Sequence, residues 1–385
     1  MTLTMIAYDN QLKLKSVSPQ KGVAMRCQAW NKSIGCRLGV LVGLVAVFLG
    51  CAKPHIAYQA PTPPACQKPE QAVVYKEFPL HHFLPLPLGE IEEKFLLQPF
   101  DILAAKATSG GSTSAVQLKI QYRDCTVVKI KWRASPRDAR RYNNDPRREI
   151  ASYRFQKLFL EPDDYVVPVT ESICIPSVDL MHIGLNLTPQ LPEIKCVFGP
   201  AAIWLRNVEV VGNFLDRERF ERSATGQEER GYARAFANLN IFTYLISHRD
   251  GRKGNFLVSR VARTPHIFSI DNSLAYAGIG NPRPFIPHWS RLKVDKLPRE
   301  TVARLRAISS NALYRQLGVV AEAHVTADGE VKRAASFSPN LNPHKGYRRQ
   351  DHVRQIGLTN REISKIENRL LKLLQRVDSG EIQLF

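Results

Sequence analysis

The chain changes texture once, and that change limits what it can fold into. Up to about residue 205 the apolar residues come in short β-branched runs broken by Gly, Ser and Pro. Beyond about residue 215 they recur at helical spacing. Strands first and helices second exclude an alternating strand-helix chain and predict an α+β fold in two lobes, β-rich then helical. Soon after the switch comes "YLISHRDGRKGNFLV", residues 244–258, a charged glycine-containing centre between two apolar runs. A helix must end there and a short strand begin, so the polar residues between them are held at an edge.

The elements follow from the same patterns. "DILAAKATSGGSTSAVQLKIQY" (101–122) reads as strand, turn and strand, with Gly110 and Gly111 in the turn. "CTVVKIKWR" (125–133) reads as a third strand. "DPRREIASYRFQKLFL" (145–160) reads as a helix, with Pro146 at its start and Ile150, Tyr153, Leu158 and Phe159 near helical spacing. "YVVPVTESICIP" (165–176) and "KCVFGPAAIWL" (195–205) are further strands. "EERGYARAFANLNIFTYLI" (228–246), "LPRETVARLRAISSNALYRQL" (297–317) and "LTNREISKIENRLLKLLQRV" (358–377) are helices, the last capped by Thr359 or Asn360. Residues 325–358 are polar and basic and read as a long loop or insertion.

The N-terminal region carries a topological signal. "LGVLVGLVAVFLGC", ending at Cys51, is a short apolar run preceded by Arg26, Lys32 and Arg37. Its length suits a signal-peptide core better than a spanning helix, which needs about 20 residues. The ending "FLGC" resembles the lipobox of bacterial lipoproteins, which implies lipidation of Cys51; Phe48 and Leu49 depart from the commoner pattern, and Met25 is an alternative start. An uncleaved anchor is the other reading. Either way the positive flank stays inside and the rest is exported, tethered by the Pro-rich stretch 52–84. The expected location is the cell envelope, with the lobes at 85–205 and 206–385. Four cysteines follow Cys51, namely Cys66, Cys125, Cys174 and Cys196, enough for two disulfides with three pairings, and Cys174 with Cys196 comes first among these. Buried free thiols are the alternative.

The net charge is +19. Only 6 of the 54 basic and 1 of the 35 acidic residues lie in the first 50 positions, so the basic character belongs to the exported part. Such a surface favours anionic partners. No nucleic-acid-binding module signature occurs, so no nucleic-acid partner is expected. The basic stretch "RASPRDARRYNNDPRRE" (133–149) could rim a cleft and hold an acidic acceptor, or could be a solvated face.

The chemistry-bearing residues come in a fixed order. Asp250 and Asn255 are five apart in "HRDGRKGN". Phosphoryl transfer needs such a pair, a carboxylate for the nucleophile's proton and an amide oxygen for Mg²⁺. Asp271 follows an apolar run in "IFSIDNSLAY". In "VVKIK", Val127, Lys129 and Lys131 share a strand face, so Lys129 can reach phosphates with Lys131 in reserve. Glu149 opens the next helix and is available to pair with that lysine. Gly110 and Gly111 offer backbone N–H groups to phosphates. Each element also has a bland reading: a capped turn for Asp250 and Asn255, a plain turn for Asp271, surface charges for Lys129 and Glu149, a hairpin for the glycines.

Taken together, "VVKIK", "EIASYRFQKLFL…VVPVT", "ISHRDGRKGNFLV" and "SIDNSLAY" resemble the atypical kinases, the grouping of phosphatidylinositol kinases, Hip toxin-type kinases and secretory-pathway kinases. The resemblance spans about residues 95–320. It implies a kinase-like fold that uses ATP and Mg²⁺ or Mn²⁺ to phosphorylate a hydroxyl on a protein, lipid headgroup or sugar. It further implies that Lys129 holds the α/β-phosphates, Glu149 orients it and Asp250 acts as base or orienter beside His248 and Arg252. Asn255 and Asp271 are the implied metal ligands. The chain departs from ordinary kinases in having no G-x-G-x-x-G and no A-P-E, and in placing Arg252 two residues after Asp250. Two other functions stay open: a pseudokinase scaffold that binds anions in the envelope, and transfer of AMP on the same fold.

Overall fold

Helix α1 (Leu88–Leu97) lies between the first and second strands of the large sheet, and α2 (Pro146–Gln156) and α3 (Ser177–His182) interrupt its later strands. The sheet's strands are β1 (Ala57–Gln59), β2 (Phe100–Ala107), β3 (Val116–Tyr122), β4 (Val127–Trp132), β5 (Thr170–Pro176) and β6 (Cys196–Ile203). They pair antiparallel in the order β1-β2-β3-β4-β6-β5. The computed structural model describes residues 57–60, 79–108, 115–136, 145–212, 216–226, 230–261, 265–276 and 289–385. Cys51, Gly110 and Gly111, to which the sequence assigns lipidation and phosphate contacts, lie outside them. Among the described residues no helix is long and apolar enough to cross a membrane.

Strand β4 shows how the sheet is built. Val128, Ile130 and Trp132 are buried, while Val127 and Lys129 on the opposite face are exposed, the period-two pattern of a half-buried strand. Helix α2 packs against β5 and β6 and buries Ile150, Ala151, Tyr153 and Phe155. Gly199 on β6 sits where β4 ends. A Cβ there would collide with the Arg133 carbonyl oxygen and approach Trp132 Nε1 to 2.7 Å, so only glycine lets the two strands close at the point where Arg133 leaves the sheet. Cys174 and Cys196 form a disulfide across β5 and β6, with Cα atoms 5.4 Å apart. Closing its 22-residue separation contributes about 3 kcal/mol through lost unfolded-state entropy. Cys125 is disulfide-bonded as well.

The C-terminal half is mixed rather than helical throughout. Strand β7 (Val208–Val210) pairs with β8 (Phe256–Ser259), which pairs with β9 (Ile267–Ser269). Between β7 and β8 come α4 (Arg217–Ala224) and the long α5 (Arg230–Leu245), whose Phe236, Leu239, Phe242 and Leu245 are fully buried. Residues 297–317, expected as one helix, split into α6 (Arg299–Arg306) and α7 (Ser310–Leu317) after the two-residue strand β10 (Lys296–Leu297). The Ser309 side chain accepts from the Ala312 N–H and starts a new helix, the local competition by which serine ends one helix and caps the next.

The segment expected as an irregular insertion contributes three strands to a sheet. Strands β11 (Ala321–Val325), β12 (Val331–Arg333), β13 (Tyr347–Gln350) and β14 (Val353–Ile356) pair antiparallel in the order β12-β11-β14-β13. Its strands are short and bury Glu322, Arg348 and Gln355, so apolar alternation could not reveal them. Helix α8 (Asn360–Asp378) follows, with a Thr359–Glu362 capping box and a buried stripe of Ile363, Ile366, Leu370, Leu373 and Val377; β15 (Gln383–Leu384) pairs parallel with β10. The whole is an α+β arrangement, with eight α-helices and three antiparallel sheets among the described residues.

Candidate functional site

Three separate elements bring charged side chains to one place. The odd-numbered face of β4 continues beyond the strand to Arg133, and α2 presents Glu149 in its first turn. The turn after β9 presents Asp271. Arg133 Nη2 lies 3.3 Å from Glu149 Oε1, and Arg133 Nη1 is 3.6 Å from Asp271 Oδ1. Lys131 Nζ is 3.9 Å from Asp271 Oδ2. The Asn272 N–H donates to Glu149 Oε2 at 2.8 Å, tying the helix to the turn. Ser152 Oγ and Tyr276 OH, 3.3 Å apart, repeat that tie one helical turn further on.

Lys129, expected to face the phosphates, is exposed and does not line the cleft. Lys131, two residues along the same face, does. Two strand residues span about 6.6 Å, so the choice between lysines decides which one meets Asp271. Arg133 escaped sequence reasoning except as part of a basic stretch. The signal available was the alternation Val127, Lys129, Lys131, Arg133, which carries the cationic face past the last strand residue.

Asp250 and Asn255 reach the same region through a hairpin. In the β8–β9 register Phe256 faces Ser269, so the next position outward sets Asn255 against Ile270, whose N–H donates to the Asn255 carbonyl at 2.9 Å. Asp271 therefore follows directly. Asn255 Nδ2 donates to the Asp250 carbonyl at 2.6 Å, which turns its amide oxygen the other way. That carbonyl also accepts from the Arg252 N–H at 2.8 Å, and Arg252 Nε is 3.6 Å from Asp250 Oδ1. His248 is fully buried, and its Nδ1 accepts from the Asp250 N–H at 3.2 Å. Burial pushes His248 down to about 4 against the pull of Asp271, so the ring is neutral and shapes the loop. Gly251 rests on Trp289, where a Cβ would lie 2.5 Å from the indole.

Ser247, Asp271 and Tyr276 all take left-handed backbone conformations, at φ 54°, 61° and 60°. For non-glycine residues each costs about 1–2 kcal/mol. The turns are held by bonds such as Tyr276 N–H to the Ile246 carbonyl at 2.7 Å, which locks the end of α5 to the turn after Asp271.

The cleft beside these groups has a volume of about 470 Å³. Lys131, Arg133, Glu149 and Asp271 line one end, and Val167, Ala202, Ile203, Leu205 and Leu257 line much of the rest. Asp250, Asn255, His248 and Arg252 are not in the lining and adjoin it through Gly254 and Ile270. Such a site accepts a flat apolar group at one end and an anionic group at the other. Among the described residues no group of three or more His, Cys, Asp or Glu could cage a metal ion. The donor set fits Mg²⁺ held by one carboxylate and an amide oxygen with a ligand's phosphates completing the shell, since Mg²⁺ seldom uses an all-protein cage.

The two carboxylates have opposite environments. Burial raises the Glu149 carboxyl to about 7, and the adjacent Asp271 adds to that, against Arg133 and Lys131. For Asp271 burial also pushes upward, but Lys131 and Arg133 prevail and hold it down at about 2. Of the pair, Glu149 is therefore the one that takes up a proton first as pH falls. Its folded value lies above the ordinary 4.5, so its contribution to stability is complete below about 4.5 and is lost as pH rises through about 7. Asp271 acts with the opposite sign and loses its contribution only as pH falls toward 2. Raising pH from about 5 to about 8 is therefore expected to destabilise the wild type relative to Glu149→Gln. Urea unfolding at both values measures this, and a flat difference would show that Glu149 does not take up that proton.

No family model matches this chain, and no curated protein matches it. Among solved structures, that of hydra Fam20 with sugar is similar over 74% of this chain and 86% of that chain, with 14% identity and a TM-score of 0.43. So distant a likeness assigns neither the fold nor the activity of this chain.

Proposed function

We propose that this chain is an atypical kinase that transfers the γ-phosphoryl group of ATP to a hydroxyl on a protein, lipid headgroup or sugar. The observation that carries the reading is the meeting of Lys131, Arg133, Glu149 and Asp271 in a cleft with a large apolar wall, one residue from the Asn255 hairpin position; the other charged lining residues, Glu209 and Arg260, pair with each other. The apolar walls would take the nucleotide base. Lys131 and Arg133 would hold the phosphates, and Glu149 would keep Arg133 in position. Asp271 and the Asn255 amide oxygen would hold Mg²⁺ or Mn²⁺, which supplies charge neutralisation at the phosphoryl group. Asp250 would take or orient the acceptor's proton, its backbone fixed by His248, Arg252 and Asn255. Lys129 is assigned no phosphate contact. The fold would then be the two-lobed kinase arrangement, joined to an envelope anchor through Cys51 or a leader helix.

The test is direct. The purified chain should bind ATP in a Mg²⁺- or Mn²⁺-dependent way and label itself or an added acceptor with the γ-phosphate, and Asp250→Ala should abolish the labelling. Absence of metal-dependent nucleotide binding would refute the reading. A binding-only scaffold draws on one observation, that Asp271 is already met by two cations. Nucleotide binding with no transfer to any acceptor would select it, and a product heavier by AMP would select nucleotidyl transfer.

A further inference from the structure

A second cavity, of about 250 Å³, lies between the β5–β6 edge of the large sheet and the β11–β14 sheet, and it shares no lining residue with the cleft. Its apolar wall includes Leu191, Phe198, Ala321, Ala323 and Ile356. The charged lining is dominated by Arg333, Arg348, Arg349 and Arg354.

These arginines outnumber the carboxylates they meet. Arg349 and Arg354 share the single Glu193, at 3.8 and 2.8 Å. Arg333 shares Glu171 with Arg154, at 3.1 and 3.2 Å. Arg348 is 4% exposed, and its guanidinium donates to the carbonyls of Asn342, Lys345, Gly318 and Leu358. Carbonyl dipoles satisfy its N–H groups with no carboxylate bonded to it, and burial with the nearby Arg147 weakens its hold on the proton against the pull of Glu362. Arg354 Nε is buried with no hydrogen-bond partner, an N–H that usually finds one. Glu322, the cavity's own carboxylate, is spent on Ser338 and Gln355, with bonds of 2.7–2.9 Å, and on His324 at 3.1 Å. The surplus is positive, and it faces an apolar chamber large enough for a small molecule.

We propose that this cavity is a binding site for a small amphiphilic anion. An apolar or aromatic body would lie against Leu191, Phe198 and Ile356, and a carboxylate, sulfonate or phosphate group would lie against Arg349 and Arg354. The chemistry is independent of the phosphotransferase reading. Two general probes separate its parts. The anionic dye 8-anilinonaphthalene-1-sulfonate combines an aromatic body with one sulfonate, and N-phenyl-1-naphthylamine has nearly the same body without the charge.

The intact protein should bind the anionic dye at a saturable site in this cavity, read by fluorescence titration alongside any dye taken up by the cleft. Arg349→Glu, at a side chain 68% exposed and remote from the core, should weaken that binding by about tenfold and leave the neutral probe unaffected. Ala323→Phe, which fills the chamber and changes no charge, should remove this site for both probes while circular dichroism stays native. If Ala323→Phe does not fold, the Arg349→Glu comparison still decides. Binding of the anionic dye unchanged in Arg349→Glu, or equal weakening of both probes, would overturn the proposal.

Discussion

Asp271→Asn is expected to lower metal-dependent phosphoryl transfer by about a hundredfold or more, the scale seen when one preorganised charge contact is lost. The substitution is nearly isosteric, and the Ser273 hydroxyl, 3.2 Å from Asp271 Oδ1, can still bond to the amide. Nucleotide binding should respond with two signs. Lys131 and Arg133 lose the carboxylate they face, so ATP without metal should bind as well as before or tighter. The gain on adding Mg²⁺ or Mn²⁺ should vanish. A general loss of folding would lower both, so titration of ATP with and without metal distinguishes the causes. If metal dependence survives, Asp271 is not a metal ligand and the site has been misassigned. Asp250→Ala should leave both kinds of binding and remove only the transfer.

Glu362→Ala is expected to destabilise the protein by about 3–5 kcal/mol, the scale for breaking a buried ion pair, since two largely buried arginines would then have Asp145 alone between them. Arg147 and Arg148, immediately before Glu149, both reach Glu362. Arg148 Nη2 lies 3.1 Å and Arg147 Nη2 3.0 Å from Oε1, and Arg147 Nη1 bonds Oε2. Asp145 joins them, 2.9 Å from Arg147 and 3.3 Å from Arg148, and accepts from Tyr347 OH at 3.1 Å. The same Glu362 closes the α8 capping box by accepting the Thr359 N–H at 3.0 Å. Burial would raise its carboxyl, but the two arginines hold it at about 2, so it remains a carboxylate across the usual pH range. One side chain therefore ties the helix bearing Glu149 to the last long helix. Replacing both partners, as in Arg147→Leu with Glu362→Leu, should cost less than either single change, because no buried charge is left alone. Urea unfolding of the four variants measures this, and a loss below about 1 kcal/mol for Glu362→Ala would show that solvent, not the ion pairs, balances these charges.

The fold is most legible in the sequence where one period dominates. The alternation of "VVKIKW" and the start signal of Pro146 placed β4 and α2, and the 3–4 spacing of Ile363, Ile366, Leu370 and Leu373 placed α8. Residues 325–358 are not legible in this way, because the strands of their sheet, three to five residues long, bury arginine, glutamine and glutamate. Those polar groups are satisfied by partners distant in sequence, as in Arg348 to Gly318 and Gln355 to Glu322. Residues 297–317 likewise hide a helix boundary, because Ser309 is a weak helix former mid-run and a strong cap once the chain turns.

For the candidate site, the sequence by itself determined which chemical groups are present and their order: strand cations, a helix glutamate, Asp250 with Asn255, then Asp271. Local patterns suffice for that, since each group sits at a fixed place in its own element. Which cation meets Asp271 was decided only by the tertiary structure. Lys129, Lys131 and Arg133 share one face and one chemistry, and the sequence treats them alike. The pairing of β4 with β6 beside Gly199, the β8–β9 register and the anchoring of α2 by Glu362 set the distances. Those distances are sums over long-range contacts, and no local pattern in the chain encodes them.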